Sequence, residues 1–140
     1  MALYPTVLVA VNPDDNEAHR LVVKAAVVAE QNNAELHLAF VEPGMGNVSF
    51  ADAELELDAV HDTLAQQRRQ QLMALASQSP YHVSGIHLAN GDVIKHLVAL
   101  TDTLEASLVI IGCRKSGIHW LGDVGHALSQ HIRGDVLMCQ

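Results

Sequence analysis

The stretch Ser107–His126, SLVIIGCRKSGIHWLGDVGH, sets a short apolar run directly against a glycine-rich turn. The run SLVII carries no charge and reads as a strand covered on both faces. From Gly112 to His126 there are four glycines, two cations and two histidines in fifteen residues. A turn of that kind after a buried strand is where α/β proteins often hold phosphate, because backbone N–H groups can point at the anion. Downstream, Leu121, Val124, Leu128 and Ile132 recur at helical spacing, and DVLMC (135–139) reads as a closing strand.

Upstream the same alternation repeats. TVLVAV (6–11) is a second continuously apolar run and predicts another doubly covered strand. The residues Asn12 to Asp15 offer turn and cap chemistry. A helical stripe of Leu21, Val22, Ala25, Val28 and Ala29 follows, with Asn32 and Asn33 at its end. AELHLAFV (34–41) alternates Leu36, Leu38 and Phe40 with Glu35, His37 and Ala39, as a strand does. After a loop through EPGMGNVS, Ser49 and Asp52 have capping-box spacing for a long helix ending near Ser77. Acidic residues crowd the first half of that helix, and Arg68 and Arg69 come later, complementing the helix dipole. The QQRRQQ segment (66–71) reads as a solvated face. YHVSGIHLA (81–89) is a more polar strand suited to a sheet edge. NGD (90–92) reads as a turn, and Asp92 as the cap of a helix bearing Ile94, Leu97, Val98, Thr101 and Leu104 on one side.

Strands that alternate with helices imply right-handed crossovers, a parallel sheet and helices on both faces. The 140 residues suit one domain, residues 1–140, whose interior must be filled by Ala, Val and Leu because aromatics are only 4%. Eight basic against sixteen acidic residues give a formal charge of −8, which argues against nucleic acid as a partner. The apolar N-terminal run is too short to span a bilayer and has no basic start, so no membrane is expected and the cytoplasm is the expected location.

Taken together, VLVAV, AELHLAFVEP, NGDVIKHLVAL, ASLVIIGCR and DVLMC resemble the universal stress protein family over essentially the whole chain. The resemblance implies a three-layer α/β sandwich with a five-stranded parallel sheet in the order 3-2-1-4-5, usually dimeric. Ligands would then lie where the strand order reverses, with Asn12 and Gly112 facing each other.

The nucleotide-binding branch of that family carries G-x-x-G-x9-G-S/T after the fourth strand and an Asp at the end of the first. Here Gly112 and Gly125 hold the first and third glycine positions. Lys115 replaces the second glycine, His126 the Ser/Thr, and Asn12 the Asp. Lys115 adds a Cβ where the backbone must approach phosphate, and His126 is bulkier than a hydroxyl donor. Asn12 keeps an acceptor for a ribose hydroxyl without negative charge. The expectation is therefore a lost cradle and the branch typified by universal stress protein A. Such a protein is non-enzymatic, holds no cofactor, and acts as a stress-response homodimer through its C-terminal strand (Asp135 to Cys139) and through unidentified protein partners. The alternative is weak ATP or AMP binding, with Asn12, Val41, Gly112, Arg114, Gly125 and His126 around the ligand.

The nine histidines include no H-x3-H pair, and the two cysteines no C-x2-C pair, so no metal site is expected. His82 and His87, an odd number apart, would point to opposite faces of an ideal strand. Ser116 and His119 lack a nucleophile elbow. Cys113 and Cys139 are expected to be reduced thiols near one end of the sheet.

Overall fold

The computed structural model describes residues 3–43, 54–112 and 119–139, with the backbone alone for residues 43, 54–62 and 119–124. The elements are β1 (Thr6–Ala10), α1 (Ala18–Asn32), β2 (Glu35–Pro43), α2 (Glu54–Ser77), β3 (Val83–Gly91), α3 (Val93–Leu104), β4 (Leu108–Gly112), α4 (His119–His131) and β5 (Asp135–Cys139). All four strand pairings are parallel, and the order is β3-β2-β1-β4-β5. The expected sheet, its order and its helices are thus present. The Ser49–Asp52 capping box, Cys113, Arg114 and Lys115 lie outside the described residues.

The doubly apolar strands are central for a packing reason. Val7 and Val9 of β1, with Leu36, Leu38 and Phe40 of β2, pack against α1 and against Leu72 of α2. On the opposite face Leu8, Ala39, Val41, Val109 and Ile111 meet Leu97 of α3 and Leu128 of α4. Both sides of β1 and β4 are therefore dry, as their uninterrupted apolar sequences require. The predicted stripe of α1 is buried at Leu21, Val22, Ala25 and Ala29, and Ala26 joins it. Among the described residues no helix is long and apolar enough to cross a membrane.

The turn chemistry departs from expectation in two places. Asn12 and Asp15 shape the β1–α1 loop, accepting from the N–H groups of Asp14 and Glu17, but the residue capping α1 is Glu17, whose side chain makes no capping bond. Each short side chain is used two residues on, which is Asx-turn geometry, and is spent before the helix begins. Asn90 and Gly91 are not a turn but the last rungs of β3, paired with Glu42 and Pro43. Gly91, at φ +126°, makes the bend that lets Asp92 follow at once as the cap, its carboxylate accepting from Lys95 N–H at 3.0 Å. Asn33 closes α1 in the left-handed conformation, with its N–H on Ala29 and Glu30 carbonyls.

Candidate functional site: the β1–β4 crevice and its flanks

β1 has β2 on one side and β4 on the other, so the chain winds outward in both directions from this pair. The register Ala10↔Ile111 brings the ends of the two strands level, with Asn12 just past β1 and Gly112 ending β4. In an open α/β sheet this is where a ligand sits.

The proposed ligand residues are not equally available there. Asn12 Oδ1 accepts from Asp14 N–H at 2.9 Å and the Asn12 carbonyl from Asp15 N–H at 3.0 Å, so each oxygen already spends one lone pair on the loop. Val41 is 5% exposed and packs in the core on the α3–α4 face. Gly112 stands at the crevice, where an added Cβ would touch Leu21 at 3.4 Å.

Gly125 is the seventh residue of α4, well past the first turn that holds a helix's unpaired N–H groups. A Cβ there would lie 2.7 Å from Met138 Sδ and 2.9 Å from Ile111 Cδ1. The missing side chain lets the helix lie close on β4 and β5. His126, next along, is exposed, with Nε2 3.2 Å from the Gln130 amide nitrogen. Asn12 and Gly112 are thus brought together at the strand ends, whereas Gly125 and His126 sit within a helix.

Two constellations escaped the sequence reading. The first corrects the view of QQRRQQ as wholly solvated. Arg68 of α2 keeps 13% of its side chain exposed, pairs with Asp14 at 2.6 Å and with Glu42 at 3.2 Å, and lies over the Phe40 ring at 5.3 Å. Gln71 joins by donating to Asp14 at 3.2 Å and accepting from Arg68 at 3.0 Å. Burial works against the Arg68 charge, but hydrogen bonds to Asp14 and Glu42 outweigh it and raise the pKa. One guanidinium therefore ties the β1–α1 loop and the end of β2 to α2, beside the crevice. Arg69, its neighbour, is exposed.

The second is a histidine pair. His82 precedes β3, so its parity with His87 has no bearing. The neighbour of His87 is instead His37 on β2, with Nδ1 of His37 3.0 Å from Nε2 of His87. A register shift between Leu36 and His37 places Gly85 opposite His37, where a Cβ would fall 3.1 Å from the His37 ring. His37 is 8% exposed, and its Nε2 has no hydrogen-bond partner; the Glu35 carboxylate is 3.6 Å away. Among the described residues no three His, Cys, Asp or Glu side chains gather as a metal cluster, and Cys139 is a free thiol.

Burial, and secondarily the charge of His37, hold the His87 pKa below the ordinary imidazole value. The unfolded chain takes up this proton near pH 6.5, and the folded chain only at lower pH. Between the two the unfolded state binds more protons, so stability falls as pH falls. We expect unfolding free energy to decline as pH drops below about 6.5, with His87→Gln flattening that part of the profile. Chemical denaturation at stepwise pH measures this; an unchanged profile in the variant would count against the pair.

A sheet wound both ways from a central β1–β4 pair, with helices on both faces, defines a doubly wound α/β domain. A model of the universal stress protein family matches residues 3–140, and the chain belongs to that family. A relative, the universal stress protein A homolog of Pasteurella multocida (strain Pm70), is 28% identical over 110 residues, covering 79% of this chain and 77% of the relative. Among solved structures, a universal stress protein in complex with cAMP superposes with a TM-score of 0.63 at 22% identity, covering 98% of this chain and 97% of that one. The universal stress protein of Archaeoglobus fulgidus in complex with dAMP gives a TM-score of 0.67 at 19% identity, with full coverage of both chains. At these identities the structural likeness is one of fold.

Proposed function

We propose that this universal stress protein is a non-enzymatic, cytoplasmic stress-response protein of the universal stress protein A type, working as a homodimer joined through β5 and through contacts with other proteins. The observation that carries the reading is the β5 edge. Among the described residues β5 pairs with β4 alone, and Leu137 and Met138 remain 41% and 42% exposed on it. An edge with unpaired backbone groups and apolar side chains is seldom left bare. A second copy related by a two-fold axis can pair antiparallel with it and cover both side chains. The Asn12 and Gly125 environments support the absence of tight nucleotide binding, since the first is already bonded within its own loop and the second is taken up by helix packing.

Size-exclusion light scattering at micromolar concentration should give twice the 15.1 kDa chain mass. Leu137→Pro, which removes a ladder donor and clashes in the strand, should return the mass toward that of one chain. A wild-type mass of one chain would refute the dimer.

A second reading, regulation by weakly bound adenine nucleotide, draws support from the place of Asn12 and Gly112 at the ends of the central strand pair and from the cAMP and dAMP complexes of the two structural relatives. Arg114 and Lys115 would supply the cations.

A further inference from the structure

Away from β4, a groove of about 410 Å³ opens between α3 and the side of β2 and β3 that faces it. Ala39, Val41 and Ala89 line it from the strands and Leu100 and Thr103 from the helix, while His87 and His96 bring imidazoles to it. Its size and largely apolar lining, with a few polar groups, are those of a small-molecule pocket.

The protonation pattern of those polar groups follows from their partners. His37 Nε2 faces the Glu35 carboxylate at 3.6 Å. A lone pair aimed at a carboxylate is repelled and an N–H attracted, so Nε2 carries the hydrogen and Nδ1 is the acceptor. The 3.0 Å contact is then a donation from His87 Nε2–H to His37 Nδ1. That leaves His87 Nδ1 as a lone pair. Thr103 Oγ1 spends its hydrogen on the Ala99 carbonyl at 2.9 Å, so it too is left an acceptor. The bulge in the β2–β3 register and the bare Gly85 beneath the rings hold the pair in place.

We propose that this groove is a second ligand site, distinct from the Asn12–Gly112 crevice though Val41 lines it, for a small, mainly apolar, uncharged molecule carrying a hydroxyl or N–H donor, with His87 Nδ1 and Thr103 Oγ1 as its acceptors. A phenol is the simplest such molecule. A carboxylate would set its charge against these two acceptors, with the His96 imidazole as the one lining group able to donate to it.

The test is nuclear magnetic resonance of the full chain titrated separately with millimolar phenol, benzene and benzoate. Phenol should shift the methyl resonances of Ala39, Ala89 and Leu100 and bind about tenfold more tightly than benzene, the worth of one hydrogen bond. His87→Phe should abolish that preference, and Thr103→Val, at an exposed position, should reduce it. Ala99→Trp, which fills the groove from its exposed side, should remove binding of all three. Equal affinity for phenol and benzene, tighter binding of benzoate, or shifts mapping elsewhere would overturn the proposal.

Discussion

Gly134→Ala is expected to cost about 3 kcal/mol and to lower the melting temperature by roughly 10 °C. Gly134 joins α4 to β5, and a Cβ there would lie 2.5 Å from the Ser107 carbonyl oxygen and 2.8 Å from its carbon. The obstacle is backbone, which cannot rotate aside as a side chain can. Ser107 is also held from several directions. Its carbonyl accepts from Asp135 N–H at 3.0 Å, while its own N–H and hydroxyl both donate to the Thr6 carbonyl. Making room for a methyl group means breaking the first rung of β4–β5, so overpacking and a lost hydrogen bond act together. Urea unfolding would measure the loss; a cost below about 1 kcal/mol would show that the α4–β5 joint yields more readily than these contacts allow.

Replacing Arg68 with Met should cost about 2 to 3 kcal/mol, near the low end for a broken buried pair because Asp14 is half exposed. Glu42, with 17% of its side chain exposed, carries most of the penalty, since it would be left charged without a partner. Adding Glu42→Gln to Arg68→Met should therefore recover part of the loss. Arg68→Lys should recover little, because an ammonium group cannot reach Asp14 and Glu42 as a planar fork does while lying on Phe40. Thermal unfolding of the single and double variants makes a double-mutant cycle. A single-variant cost below about 0.5 kcal/mol would mean that the network behaves as an ordinary surface salt bridge.

Much of the fold was legible because burial leaves a mark on each strand. TVLVAV and SLVII read as doubly covered strands and the polar YHVSGIHLA as an edge; the strand order, and with it the edge position of DVLMC, came from the family resemblance. The long-range polar contacts left no such mark. Arg68 sits among glutamines, and its acidic partners lie 26 and 54 residues away, so local sequence presents it as solvated. His37 and His87 are 50 residues apart and meet through a register shift, which counting along one strand cannot reveal. Gly125 shows the limit of motif spacing. A glycine that cradles phosphate and one that lets a helix lie on a sheet read alike in sequence, and the close approach of Gly125 to Met138, 2.7 Å for an added Cβ, is visible only in the fold.

Whether the crevice still binds nucleotide is the question on which the functional reading turns. Calorimetric titration of the wild-type chain with ATP, ADP and AMP at moderate salt answers it most directly. With Asn12 Oδ1 already bonded within its loop and Gly125 packed against β4 and β5, the affinity for each should be weaker than about 1 mM, or roughly 4 kcal/mol of binding free energy. Low-micromolar affinity for any of the three would contradict this reading and establish the protein as a nucleotide-binding member of its family.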